Sequence, residues 1–446
     1  MSSQNRVDRR DVLKSAFAVS ALTALAPRLT GGQTAAKKPN ILFIVADNLG
    51  RESIGCYGQH IFKTPRLDRL ATEGVVFENC LVAAPLCAPA RYSWNTGRYP
   101  YRGDMITQPN PENPDSWIVP TEVTLARILK DAGYHTALVG KWNQGYGDKA
   151  NPLSYGFDEF YGHYAGHADY YTHLYNEDPG NYFYRNRAPI NDQGYLDTLF
   201  TDEALRCLQK CQGQKQPFYL NLCFFAPHGP YQSPPGYPKD EKTDVRYQYM
   251  IEYLDSCVGR VLDELDRLGL AEDTLVIFAS DQGGSRVNNY DRTLWEVGIK
   301  TVAMARWKGH TPPGGRVKTP WVQIDLFTTL AALAGAKIPT DRVIDGVNIT
   351  PLLDGRETEH NRTIYWSYGK EDAIRQGDWK LHLTGGKVDG LFDLSKDPEE
   401  KNSLATQETA RVQKMLDLLQ EWKKQCVAAQ PRRPRGKKGG KGEEET

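Results

Sequence analysis

Four short runs in this chain are apolar almost from end to end and close at, or a few residues before, a polar side chain. They cover 40–47, ending on Asp47; 135–139, just before Lys141; 217–225, just before His228; and 274–281, ending on Asp281. A continuous apolar run of that length reads as a strand buried on both faces. Helical periodicity fills the intervals at 121–132, 196–210 and 246–268. Strands alternating with helices predict an α/β fold, with a large, mostly parallel sheet flanked by helices. Ligands gather at the carboxyl ends of such strands. Asp47, Lys141, His228 and Asp281 are therefore expected along one edge.

After about residue 361 the texture changes. Strand-like pieces at 363–368, 379–383 and 390–394, followed by a helix at 406–425, predict a smaller C-terminal α+β subdomain with an antiparallel sheet. The expected organisation is an export signal and linker at 1–36, the main domain at 37–360, the C-terminal subdomain at 361–427, and a low-complexity tail at 428–446. At the N-terminus Arg9-Arg10 precedes a short run rich in Ala, and Ala24-Leu-Ala26 offers a small-residue cleavage site. That order of basic, apolar and small-residue regions resembles a bacterial twin-arginine signal. It implies the twin-arginine export machinery as a partner and a periplasmic or extracellular location.

The 55 basic and 55 acidic side chains cancel, which argues against a nucleic-acid coat. No apolar stretch beyond the first thirty residues is long enough to span a bilayer, so stable membrane insertion is not expected. The 8 cysteines include no Cys-x-x-Cys pair, so a zinc ribbon lacks support. Cys207 and Cys211, one helical turn apart, suit either a bridge or a shared face. His163, His167 and His173 stand among tyrosines. They lack the acidic partner of a His-Glu-x-x-His zinc site and read as an aromatic loop, lining a substrate entrance or packing. Asp281-Gln-Gly-Gly284 lacks the end of a phosphate-binding P-loop.

Cys87-Ala-Pro-Ala-Arg91 opens a predicted helix. On physical grounds alone, the helix N-terminus and Arg91 suit an activated thiolate or an anion site. In its setting the motif resembles the Cys-x-Pro-x-Arg modification sequence of formylglycine-dependent sulfatases, members of the alkaline phosphatase superfamily. The opening strand ending at Asp47 matches that family, as does Thr64-Pro-Arg-Leu-Asp-Arg-Leu-Ala71. Thr96-Gly-Arg-Tyr-Pro100, Gly140-Lys-Trp142, Tyr155-Gly-Phe-Asp-Glu-Phe160, Ala226-Pro-His-Gly-Pro230, Ser280-Asp281, Ile374-Arg-Gln-Gly-Asp-Trp-Lys380 and Leu391-Phe-Asp-Leu394 follow in family order. The resemblance spans 39–422.

The resemblance implies hydrolysis of sulfate esters, with carbohydrates as the expected substrates. Cys87 would be oxidised to formylglycine by a formylglycine-generating maturation enzyme, and the hydrated aldehyde would attack sulfur. One divalent cation, Ca²⁺ in the family, would lie among Asp47, Asn48, the residue at Cys87, Asp281 and Gln282. Arg91 would hold the formylglycine, while Lys141 and His228 would bind sulfate or assist proton transfer. Arg292 and Asn143 would complete the substrate contacts.

Departures from the family pattern concentrate in this set. Asn48 replaces a carboxylate, Gln282 replaces Asn, Asn143 replaces His, and Asp291 stands at a lysine position with Arg292 beside it. Two other readings therefore stand beside hydrolysis: a catalytically weakened relative that binds sulfated glycans, and a phosphate or phosphonate ester hydrolase of the same superfamily.

Overall fold

A computed structural model gives the fold and describes residues 37–113, 117–176, 182–239, 242–283, 292–357 and 362–430. The export signal expected at 1–36, Asp291, and the tail from 431 lie outside the described residues. The unit that begins at Lys38 is built on a ten-stranded sheet. In chain order its strands are β1 (Asn40–Ala46), β2 (Val75–Phe77), β3 (His135–Lys141), β4 (Glu159–His163) and β5 (Phe183–Arg185). They continue with β6 (Ala188–Pro189), β7 (Phe218–Cys223), β8 (Thr274–Ser280), β9 (Ala303–Arg306) and β10 (Gly315–Val317). The spatial order is β10-β2-β9-β8-β1-β7-β3-β4-β5-β6. The central block β8-β1-β7-β3-β4 is parallel throughout. β9 runs antiparallel on one side of it and β5 on the other.

The apolar runs behave as their composition requires. β1 sends Leu42, Ile44 and Ala46 into one core and Ile41, Phe43 and Val45 into the other, all fully buried. Helices α1 (Pro65–Glu73), α4 (Leu196–Cys211) and α5 (Thr243–Arg267) cover the first face. Helices α2 (Cys87–Thr96), α3 (Leu125–Asp131) and α6 (Asp325–Ala334) cover the second. Each large aliphatic or aromatic side chain buried this way contributes about 1.5–3 kcal/mol. The helix expected from residue 121 begins only at Leu125, because the Thr124 side chain accepts the Arg127 N–H and caps it there.

The C-terminal sheet has four antiparallel strands: β11 (Thr363–Tyr368), β12 (Glu371–Gln376), β13 (Trp379–Thr384) and β14 (Lys387–Asp393). Helix α7 (Thr409–Ala428) packs Met415, Leu419 and Trp422 into the core of this sheet. β12 was not among the expected strands. No described helix is long and apolar enough to cross a membrane. All eight cysteines are free thiols, so Cys207 and Cys211 share a helix face without a bridge.

Candidate active site

The carboxyl ends of the parallel strands deliver the polar residues that the sequence placed there. Asp47 follows β1, Lys141 ends β3, and Asp281 follows β8. His228 lies on the turn after β7. The strand ends are stitched together through the backbone: Asp281 N donates to Ala46 O at 3.1 Å, and Asp47 N donates to Ala226 O at 3.1 Å. Gly140, at φ +103°, lets β3 press against β7, since a Cβ there would fall 1.8 Å from the Cys223 carbonyl oxygen. Lys141 is thereby carried inward and pairs with Asp47 Oδ2, both side chains fully buried.

Helix α2 brings Cys87 over these strand ends. Its thiol lies 3.4 Å from Asp47 Oδ1 and 3.7 Å from Asn48 Oδ1, with Gln282 Nε2 at 3.8 Å. The ligand-bearing atoms of Asp47, Cys87 and His228 all fall within 4.8 Å of one another. One turn along α2, Arg91 donates from Nε to Asp281 Oδ2 at 3.0 Å and from Nη1 to the Lys141 carbonyl at 3.1 Å.

The electrostatics separate the acids. Burial alone would raise Asp47, but Lys141, His228 and Arg91 around it bring it down to about 2, so it is ionised. Burial, with the charge of Asp47 next to it, pushes Asp281 upward. Burial also drives the Cys87 thiol well above its ordinary value, and Asp47 adds to the effect. Arg91 spends its guanidinium on Asp281 and the Lys141 carbonyl, so burial and Asp47 set the direction for the thiol. Burial lowers His228 to about 4, leaving a neutral imidazole near pH 7.

The residues suit a hard divalent cation. Asp47, Asn48, Asp281 and Gln282 are all oxygen donors, and Asn48 N binds Asp281 Oδ1 at 3.1 Å, tying two of them together. Gln282 Oε1 is buried and has no hydrogen-bond partner among the described residues, as an acceptor awaiting a cation would be. Asn48 sits at φ +60°, a backbone state that Asn accepts more readily than most residues.

Asn143 and Arg292 lie apart from the thiol cluster, on the wall of an adjoining cavity of about 860 Å³ that also exposes Gln108, His167, Tyr175 and His228. Asn143 donates to Gln108 Oε1 at 2.9 Å. His167 stacks on His228 with ring centroids 5.8 Å apart and lines this cavity, whereas His163, His173, Tyr161, Tyr164 and Tyr170 are buried, so the loop serves both the cavity and packing. Sequence reasoning missed Gln108 and Asp197. Asp197, fully buried on α4 and raised by burial to about 7, accepts the N–H groups of Phe225 (3.0 Å) and Ala226 (3.1 Å) and holds the turn carrying His228.

Comparison with known proteins shows the family. The sulfatase family profile matches residues 39–336, and that of the N-sulphoglucosamine sulphohydrolase C-terminal region matches residues 288–425. Human N-acetylgalactosamine-6-sulfatase is 33% identical over 387 residues, covering 79% of this chain and 73% of its own. Mouse steryl-sulfatase is 30% identical over 510 residues, covering 86% and 81%. Among solved structures, Ps i-CgsB in complex with k-i-k-neocarrahexaose superposes with a TM-score of 0.79 at 27% identity, covering 86% of this chain and 93% of that one.

Proposed function

The chain belongs to the sulfatase family and is a sulfuric ester hydrolase, and from that premise we propose that it removes sulfate from carbohydrate esters through a formylglycine made from Cys87. The observation that carries this reading is the convergence of Asp47, Asn48, Arg91, Asp281 and Gln282 around the Cys87 position. An aldehyde at residue 87, hydrated, supplies a hydroxyl nucleophile that no ordinary side chain offers, and a divalent cation supplies charge neutralisation for the sulfate oxygens.

The chain's own residues do the rest. Asp47, Asn48, Asp281 and Gln282 would hold the cation, Ca²⁺ by the family's habit. Arg91, locked on Asp281 and the Lys141 carbonyl, fixes the first turn of α2 and so the direction in which residue 87 points. Lys141, paired with Asp47 Oδ2, would attract a sulfate oxygen. His228, neutral at pH 7 and open to the cavity, can hold or pass the proton of the departing alcohol. Arg292 and Asn143, which line the same cavity, would contact the sugar.

We further propose export through the twin-arginine route, on the strength of Arg9-Arg10 and the apolar run after it. The test of function is release of inorganic sulfate from 4-nitrophenyl sulfate and from sulfated oligosaccharides, by protein made in a host that matures Cys-x-Pro-x-Arg. Release by this protein and none by Cys87→Ala supports the reading; equal release by both overturns it.

A further inference from the structure

Beside the cavity lined by His228, segments 169–171 and 228–233 are cross-linked by hydrogen bonds. Tyr170 N donates to Gln232 Oε1 at 2.7 Å, and Gln232 Nε2 donates to Asp169 Oδ2 at 2.6 Å. Tyr171 OH donates to the Ser233 carbonyl at 2.6 Å, and Tyr170 OH to the His228 carbonyl at 2.8 Å. Asp169, Gly229 and Pro230 line the cavity shared with His228. Along the same segments, Tyr171, Tyr231, Gln232 and Ser233 line a second cavity of about 320 Å³, completed by Lys239 and Arg246. Pro230 and Tyr231, and likewise Thr172 and Tyr171, are chain neighbours on opposite cavities, so the two linings adjoin with Cα atoms about 3.8 Å apart.

The second cavity is chemically distinct from a packing defect. It presents two phenol rings, one of them, Tyr171, 38% exposed. Two cations stand at its rim, with Arg246 braced by donating from Nε to the Tyr231 carbonyl at 2.8 Å. Ser233 is only 6% exposed, and its hydroxyl has no hydrogen-bond partner among the described residues. A buried hydroxyl without a partner is unfavourable unless a ligand supplies one. Aromatic faces bind the apolar faces of sugar rings, and Lys and Arg bind sulfate or carboxylate groups.

We propose that Tyr171, Tyr231, Ser233, Lys239 and Arg246 form a second glycan subsite that takes an anionic sugar of the same chain whose sulfate ester reaches residue 87 by way of the cavity lined by His228. This deepens the proposed hydrolase reading and rests on it for the identity of the first cavity. It makes the substrate a polyanionic oligosaccharide spanning both cavities and sets a preference for chains over single sulfated sugars. The group recognised is a sulfate or a carboxylate on the neighbouring ring.

Calorimetry on full-length Cys87→Ala protein tests binding without turnover. The probes are a κ-carrageenan hexasaccharide, anionic through sulfate alone, and a chondroitin 6-sulfate hexasaccharide, which also carries carboxylates; a neutral agarose hexasaccharide is the control. Adding Lys239→Glu should weaken binding of at least one charged probe about tenfold, and which probe responds tells sulfate from carboxylate. Arg246→Gln should weaken the same probe. In the matured enzyme, Lys239→Glu should raise KM for that hexasaccharide and leave kcat/KM on 4-nitrophenyl sulfate unchanged, because the aryl ester fills only the first cavity. No binding of either charged probe, or binding indifferent to Lys239→Glu, overturns the subsite. Absence of turnover on every ester with Lys239-dependent binding intact would instead sink the hydrolase reading and leave the subsite standing.

Discussion

Arg91 Nη2 lies 2.8 Å from Asp281 Oδ2, and both side chains are all but completely buried. The two residues come from the first turn of α2 and the end of β8, so this contact bolts the helix carrying Cys87 to the sheet edge. Removing one member of such a pair leaves a buried charge without its partner, at about 3–5 kcal/mol. Arg91→Ala should therefore lose roughly that much stability in urea denaturation, with loss of turnover. Arg91→Lys should recover part of the stability but not the fork that grips both Asp281 and the Lys141 carbonyl.

The second prediction concerns metal affinity. With Asn48 neutral, Asp47 and Asp281 are the charged side-chain oxygens of the four-residue donor set, and Lys141 already draws on Asp47. Asn48→Asp adds a carboxylate at a backbone conformation that Asp also tolerates. Calcium should bind the variant about tenfold more tightly by calorimetry. Equal affinity would remove position 48 from the donor set.

A third prediction follows from Asn143, which lines the cavity beside His228 and cannot carry a proton. Its φ of +52° suits His as well as Asn, so Asn143→His should be accommodated. An added acid at this wall should speed matured enzyme on alkyl sulfates, whose leaving alcohols need protonation, by about a hundredfold or more. Aryl sulfates, with better leaving groups, should gain far less. A gain shared equally by both ester types would mean that the new ring does something other than donate a proton.

How much of this was visible in the chain depends on the range of each contact. β1, β3, β7 and β8 were legible because strands buried on both faces must be apolar throughout, and the acids closing β1 and β8 marked their ends. Thr363–Tyr368 was legible from its aromatic and β-branched content, whereas Glu371–Gln376, with Glu, Asp, Arg and Gln among six residues, hides its strand in pairing with both neighbours. The gathering of Asp47, Cys87, Arg91, Lys141, His228, Asp281 and Gln282 was expected. Pairing across 190 residues, as between Arg91 and Asp281, was not readable from spacing. Asp197 escaped because its partners are backbone N–H groups, which leave no mark in a sequence.

Acid sensitivity should centre on His163. Its Nδ1 accepts the Ala165 N–H at 3.0 Å while Nε2 meets the His173 carbonyl at 3.1 Å, an arrangement that fits a neutral ring. Burial lowers it to about 3, against an ordinary value of 6.5. Between those values the unfolded chain binds a proton that the folded chain refuses, so stability falls as pH drops from 6.5 toward 3. His163→Gln can keep both hydrogen bonds without titrating and should flatten that slope in denaturation curves taken across the window. An unchanged slope would place the acid sensitivity elsewhere.

The central claim is that residue 87 does its chemistry as an aldehyde and not as a thiol. The most direct measurement pairs mass spectrometry of the tryptic peptide 70–91 with sulfate release by the same preparation, over batches matured to different extents. Release from a sulfated oligosaccharide should rise in proportion to the fraction of peptide carrying formylglycine and vanish when that fraction is zero. Sulfate release by protein whose residue 87 is entirely thiol would contradict it.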